Sequence, residues 1–240
     1  MLRVHSRETF TTSDGPGIRC IFFLQGCNFK CLYCSNPDTI QCGQGGTMMS
    51  DEEIIEIIKK WIPYFANGGG VTFSGGEPLL QAKELISLCQ KLKQMNINVC
   101  IDTNGSVLND DVKELQKYVD YFLPDIKHIH EEGHIKMTGH SNQSSREFIE
   151  YMEEIQHPYQ LNYVLVPWYT DSEENLRATG EYLATLKFMT RFEILPYHTL
   201  GNYKRKELWR KYELEDVQVP SHEDVERAVE IIKQYTDKIL

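Results

Sequence analysis

Hydrophobic positions along the chain follow two spacings in alternation. Residues 18–24 (IRCIFFL) are an unbroken β-branched and aromatic run, read as a buried strand. Residues 50–65 then carry Ile54, Ile57, Ile58 and Trp61 at helical spacing, and Ser50 with Glu53 forms a capping box at their start. The same exchange continues with a strand over 71–74, a helix over 82–95 with Leu85, Leu88, Cys89 and Leu92 on one face, a strand over 99–102 and a helix over 110–119. Residues 121–126 read as a strand although Pro124 cannot donate to a ladder. A second capping box, Ser144 with Glu147, opens a helix over 144–156. Strands over 161–166 and 192–195 flank a helix over 172–187, and a helix over 222–235 closes the chain with Val225, Val229 and Ile232 on its inner side.

Six strands alternating with helical segments predict an α/β fold with a parallel sheet and right-handed crossovers. An open doubly wound sheet and an incomplete barrel both satisfy this pattern. With no internal repeat, low-complexity tract or long linker, residues 1–240 are expected to form one domain.

The unusual residues fall just after the strands. Gly26 and the stretch from Cys27 to Cys34 follow the first, and Gly75-Gly76-Glu77-Pro78 the second. Asp102-Thr103-Asn104-Gly105 follow the third, Asp125 and Lys127 end the fourth, Val166-Pro167 end the fifth, and Pro196-Tyr197-His198 follow the sixth. In α/β sheets and barrels the carboxyl ends of the strands carry the site.

Composition narrows the chemistry. A formal net charge of −10 argues against a nucleic-acid partner, which calls for a basic face. The N-terminal residues lack an apolar signal core, and the longest apolar run is too short for a bilayer, so a cytoplasmic protein without membrane attachment is expected. Seven cysteines, an odd number, do not form a disulfide framework, but Cys27, Cys31 and Cys34 crowd into eight residues.

Three soft thiolates in one tight loop suit an iron–sulfur cluster or zinc. Three ligands on a four-iron cluster leave one iron open. A zinc site using Cys42 as a fourth ligand is the alternative on residue types alone. Gly75 and Gly76 let backbone pass close to a ligand, and Glu77 beyond them can accept from an ammonium group. Asp102, Thr103 and Asp125 supply oxygens for a cation, or belong to hydrogen-bonded turns. Lys127 shares a strand face with Asp125 and can meet a carboxylate, while His198 can hydrogen-bond a nucleoside or be structural. Asp14-Gly15-Pro16-Gly17-Ile18-Arg19 is either a turn feeding the first strand or a backbone-lined groove for an extended peptide.

Together the motifs resemble a known family. Cys27-x3-Cys31-x2-Cys34, with Tyr33 before the last cysteine, is similar to the radical S-adenosylmethionine signature, and GGEP to that superfamily's methionine-binding loop. DGPGIR, QGC, SNPDT, GGGVTFSGGEPLLQ, DTNG, DIK, VLVPWYTD and LPYHTLG resemble the pyruvate formate-lyase activating enzymes over nearly the whole chain. The resemblance implies a partial (β/α)6 TIM-type barrel. It also implies one 4Fe–4S cluster on Cys27, Cys31 and Cys34, and S-adenosylmethionine chelating the open iron. The resulting 5′-deoxyadenosyl radical would take hydrogen from a backbone glycine of a glycyl radical enzyme, in the first instance pyruvate formate-lyase.

By position, the resemblance gives the methionine amine to Gly75, Gly76 and Glu77, the carboxylate to Lys127, and the adenosine part to Tyr33, Val164 and His198. Asp102, also read as a cofactor contact, is placed with Thr103 and Asp125 at a monovalent-cation site. Asp14, Gly15, Pro16, Gly17 and Arg19 are placed against the partner's glycine loop. The resemblance further implies a flavodoxin or ferredoxin as electron donor and a monomeric chain. Activation of another glycyl radical enzyme, or radical chemistry on a small molecule, are the alternatives. Ser35, Asn162 and Trp168 stand where the family usually has His, Arg and Gly. Only 40 residues separate Cys34 from Gly75, which leaves no room for an inserted ferredoxin-like module and favours the pyruvate formate-lyase type.

Overall fold

A computed structural model describes residues 1–208 and 213–239. The chain divides into two compact units, the first made of Met1–Asn28, Thr39–Thr103 and Val107–Leu123, the second of Phe29–Asp38, Asn104–Ser106 and Pro124 onward.

The first unit contains β1 (Leu2–Thr11), β2 (Arg19–Leu24), β3 (Thr47–Met49), α1 (Asp51–Lys59), β4 (Gly70–Gly75), α2 (Ala82–Gln94), β5 (Asn98–Thr103), α3 (Asp110–Leu115) and the first three residues of β6 (Tyr121–Pro124). Its strand order is β3-β1-β2-β4-β5-β6. β2, β4 and β5 are parallel, and β1 lies antiparallel to both β2 and β3. The parallel strands are apolar on both faces, as a sheet covered on both sides requires: Ile21, Phe22, Leu24, Val71, Phe73, Val99 and Ile101 are all buried. α1 and α2 contribute Ile54, Ile58, Leu85, Leu88 and Leu92 to that core.

Two strands here have no counterpart in the sequence reading. β1 buries only Leu2 and Val4, and its polar middle hides the period of two. Its register slips twice against β2, and Phe10 adopts φ +65° beside the second slip. The helix expected over 50–65 keeps its Ser50–Glu53 capping box but stops at Lys59. Pro63 lacks an N–H and would press its ring against the carbonyl four residues back, so a separate 3-10 turn, Ile62–Tyr64, follows.

The second unit contains α4 (Glu131–Thr138), α5 (Gln143–Glu154), β7 (Tyr159–Leu165), α6 (Glu173–Leu183), β8 (Met189–Pro196), α7 (Asn202–Glu207) and α8 (His222–Lys233). β7 and β8 pair in parallel from Tyr159–Met189 to Leu165–Pro196, and Asp125, just past β6, bridges to Asn162 of β7. The sheet is mostly parallel and does not close. β3 is an edge in the first unit, and in the second a lone bridge from Ile239 meets the far side of β8 at Phe192.

α4 also escapes the sequence reading, because Gly133 and buried His134 and Thr138 break its apolar stripe. The Ser144–Glu147 capping box does not form. α5 begins one residue earlier, so Ser144 lies inside its first turn, and Glu147 accepts from the Gln143 side-chain amide at 2.9 Å instead. Among the described residues no helix is long and apolar enough to cross a membrane.

Candidate active site

The first unit carries the glycine loop. β4 ends at Gly75, which has φ +104°, and a Cβ there would lie 2.5 Å from the Leu24 amide nitrogen. Gly76 N donates to Leu24 O (2.9 Å) and Glu77 N to Gly26 O (2.8 Å), so the loop after β4 lies directly on the backbone leaving β2. Gly26 N and Cys27 N in turn donate to Thr39 O and Ile40 O (2.7 and 3.0 Å), which fixes the start of the cysteine motif. Glu77 is fully buried. Its Oε1 caps the following 3-10 turn through Leu79 N (2.9 Å) and accepts from Thr103 Oγ1 at 2.6 Å. Beside it, Ser74 Oγ donates to Asp102 Oδ2 at 2.7 Å. Glu77, expected to bind the methionine amine, and Thr103, expected at the cation site, are thus linked within one unit.

The segment 14–19 is also built from the inside. Gly15 and Gly17 have φ +124° and +68°, and a Cβ on Gly17 would lie 2.5 Å from Gly69 N, so this turn packs backbone to backbone against the glycines before β4. Arg19 departs from its expected role. It is fully buried, and its guanidinium donates to Thr72 Oγ1 (2.6 Å), Val71 O (2.7 Å), Pro16 O (2.8 Å), Asn98 Oδ1 (3.0 Å) and Gly68 O (3.2 Å). A fully buried side chain with those bonds shapes the segment and does not face a partner. Asp14, Gly15, Pro16 and Gly17 are what the segment presents.

The second unit carries the rest of the cysteine motif. Cys34 N donates to Cys31 O at 3.2 Å, which closes a turn around Leu32 and Tyr33. Burial pushes the Cys31 thiol up to about 12 and raises that of Cys34 also, with Lys127 opposing the first shift and the Asn36 backbone amide, then Arg205, opposing the second. Tyr33 is buried with Val166, Tyr197 and Met137, and its hydroxyl has no hydrogen-bond partner among the described residues. Lys127 Nζ lies 5.5 Å from the Tyr33 ring centroid and 2.6 Å from Asp125 Oδ2. Although burial disfavours the ammonium, Asp125 outweighs it and holds Lys127 charged. Asp125, expected at a cation site, therefore has a cation from its own chain. Val164 packs against the Tyr33 cluster, while His198 is exposed, with Nε2 3.5 Å from Ser35 Oγ.

The sequence reading left out several residues that support this loop. Lys30 N and Leu32 N donate to Thr138 O and Met137 O, so the open carbonyls at the end of α4 hold the middle of the motif. Phe29 is stacked on His140 at 5.0 Å and meets the edge of His134 at 5.6 Å. From α7, Arg205 Nη2 donates to Cys31 O and Cys34 O (3.1 and 3.2 Å), and Lys204 Nζ reaches Asn36 Oδ1 and Asp38 Oδ2 (2.9 and 3.1 Å). No element is read from the sequence over 199–221, so nothing there singled these two out.

Among the described residues no three His, Cys, Asp or Glu side chains gather closely enough to hold a single metal ion. A four-iron cluster makes a different demand. Each thiolate binds its own iron, so the sulfurs stand further apart than the ligands of one ion.

Comparison with known proteins follows this geometry. The profile of the radical SAM superfamily matches residues 21–179. A pyruvate formate-lyase-activating enzyme of Staphylococcus aureus is 43% identical over 232 residues, covering 94% of this chain and 92% of that protein. Among solved structures, a domain of a pyruvate-formate lyase-activating enzyme from Bacteroides vulgatus superposes with a TM-score of 0.61 at 26% identity, covering 72% of this chain and 98% of that one. Streptococcus suis SuiB, solved with its precursor peptide SuiA, superposes with a TM-score of 0.69 at 17% identity over 91% of this chain and 47% of its own, a likeness of fold alone.

Proposed function

The chain belongs to the radical S-adenosylmethionine superfamily, among its pyruvate formate-lyase-activating enzymes, and we propose that it activates a pyruvate formate-lyase through the residues described above. The observation that carries this reading is 43% identity to such an activase across 94% of the chain.

Membership implies a 4Fe–4S cluster and S-adenosylmethionine. The residues present fit them. Cys27, Cys31 and Cys34 are the soft donors an iron–sulfur cluster needs. Among the described residues the buried Tyr33 hydroxyl has no partner, as expected of a group that meets a ligand. When bound, the two groups supply a 5′-deoxyadenosyl radical that takes one hydrogen atom from a partner's backbone glycine.

The chain's own residues orient and shield. Gly75 and Gly76 bring backbone against the methionine part, and Glu77, fixed by Thr103 and Leu79 N, accepts from its ammonium. Lys127 stays charged beside Asp125 and receives the carboxylate. Tyr33 and Val164 form the apolar wall for the adenosine part, with His198 at its exposed edge. Asp14, Gly15, Pro16 and Gly17 present backbone to the glycine-bearing segment of the partner, and Arg19 keeps them in shape from beneath. Fixing the reacting groups in this way turns the hydrogen transfer into an effectively unimolecular step.

The test is electron paramagnetic resonance on anaerobically reconstituted, reduced protein mixed with S-adenosylmethionine and a pyruvate formate-lyase. A glycyl radical doublet on the partner is the expected result. Formation of 5′-deoxyadenosine without the doublet would reject this partner, and neither product from protein with an intact cluster would reject the activase reading.

A further inference from the structure

A small cavity in the second unit lies between the end of β6 and the helices α4, α5 and α6, and its volume is about 20 Å³. Most polar groups on its wall are already engaged. Asn142 Nδ2 and Arg146 Nη2 both donate to Ile129 O (2.9 and 2.8 Å), and Ser145 Oγ donates to Asn104 O (2.8 Å). Two lining residues differ: His134 Nε2 and the Tyr182 hydroxyl are buried and have no hydrogen-bond partner among the described residues. His134 is only 1% exposed. Native proteins meet such atoms with protein groups or with ordered water, because leaving them unmet is costly. The role of Nε2 follows from the other side of the ring. His134 Nδ1 lies 2.7 Å from His140 O, and a carbonyl only accepts, so Nδ1 carries the hydrogen. Burial lowers the pKa of the ring, opposed by that carbonyl and reinforced by Lys127, His128 and His140, so the imidazole is neutral. Nε2 is therefore a lone pair that needs a donor.

We propose that this cavity is the site of one internal water molecule, which donates to His134 Nε2 and accepts from the Tyr182 hydroxyl. A site for one water needs roughly 10–15 Å³ and at least two polar partners, and both conditions are met. The surrounding charges disfavour an ion. Lys127 and Arg146 on the wall repel a cation, while Asp125 and the Nε2 lone pair repel an anion. A neutral group that both donates and accepts fits, and at this volume that group is water. The site bears on the cysteine motif through the tautomer it fixes. A donor at Nε2 keeps the hydrogen on Nδ1, where it closes the stretch from His134 to His140 that ends α4. The Met137 and Thr138 carbonyls of that helix end hold the Leu32 and Lys30 amides, and the His134 ring packs edge-on with Phe29. The inference holds whatever Cys31 and Cys34 bind.

The full chain, as wild type and as Tyr182→Phe, decides it. Crystals diffracting well enough to show ordered water give the density in the cavity. Oxygen-17 magnetic relaxation dispersion gives the residence time of internal water in solution, and nitrogen-15 correlation spectra give the His134 tautomer. The wild type is expected to show one water within hydrogen-bond distance of both His134 Nε2 and the Tyr182 hydroxyl, with the hydrogen of the ring on Nδ1. Tyr182→Phe removes only the hydroxyl and is expected to shorten the residence time of one water several-fold. A wild-type cavity without density overturns the proposal, and so does a protein group bonded to Nε2 or a hydrogen found on Nε2. A residence time that Tyr182→Phe leaves unchanged overturns it as well. If Tyr182→Phe does not fold, the wild-type density and tautomer decide by themselves.

Discussion

Lys127 and Asp125 form an ion pair whose side chains are 12% and 13% exposed, and such a pair is harder to halve than to remove. Lys127→Met strands a buried carboxylate and is expected to cost about 3–5 kcal/mol of stability, read as a lower urea midpoint. The double variant Asp125→Leu, Lys127→Met is expected to recover most of that loss. At this scale the sequence offers a specific reading where residue type and spacing have few uses: three cysteines within eight residues, or two glycines before Glu77. It was misleading where one residue type has many uses. Arg19 sits in a motif that suggested contact with a partner, but its five donors point inward. Arg205 lies in a stretch from which no element was read, although its guanidinium donates to the carbonyls of two motif cysteines.

Elements set where those residues stand. α4 ends at Gly139 with φ +82°, and its last carbonyls receive the amides of Lys30 and Leu32. Gly139→Ala forces a side chain into the left-handed region and is expected to cost about 1 kcal/mol. The fraying should appear in hydrogen exchange as faster loss of protection at the Lys30 and Leu32 amides. Unchanged protection there would show that the loop holds itself. The parallel strands and most helices were legible because their faces are apolar at a regular period. α4 and β1 were not, because α4 buries His134 and Thr138 in place of an aliphatic stripe and β1 is polar over its middle. The end of α1 was legible in principle, since Pro63 marks it; the apolar stripe through Trp61 outweighed that signal.

For the whole molecule, the buried thiols make stability depend on pH. In the first unit Cys20 and Cys100 are fully buried, and burial raises them to about 11 and about 12, against an ordinary value of 9.0, with Arg7 and Arg19 opposing. On these two thiols alone the folded chain therefore holds protons that the unfolded chain releases above pH 9. Their contribution is complete below that value and falls by about 1.4 kcal/mol per pH unit for each thiol as the pH rises further. Urea midpoints of the metal-free protein at pH 8 and pH 10 should differ accordingly, and Cys20→Ala with Cys100→Ala should flatten the slope. The fold class was legible in the strand–helix alternation, whereas the choice between an open sheet and a closing one was not. That choice depends on edge pairing, which leaves no period in the sequence. Trp168 stands at φ +68° in the turn after β7, with its amide bonded to Asp171 and its ring 74% exposed. An indole so placed is a native optical reporter. With the other two tryptophans replaced by phenylalanine, its emission should shift to the blue and resist aqueous quenchers whenever a partner covers that turn, which allows docking to be followed in real time without a dye.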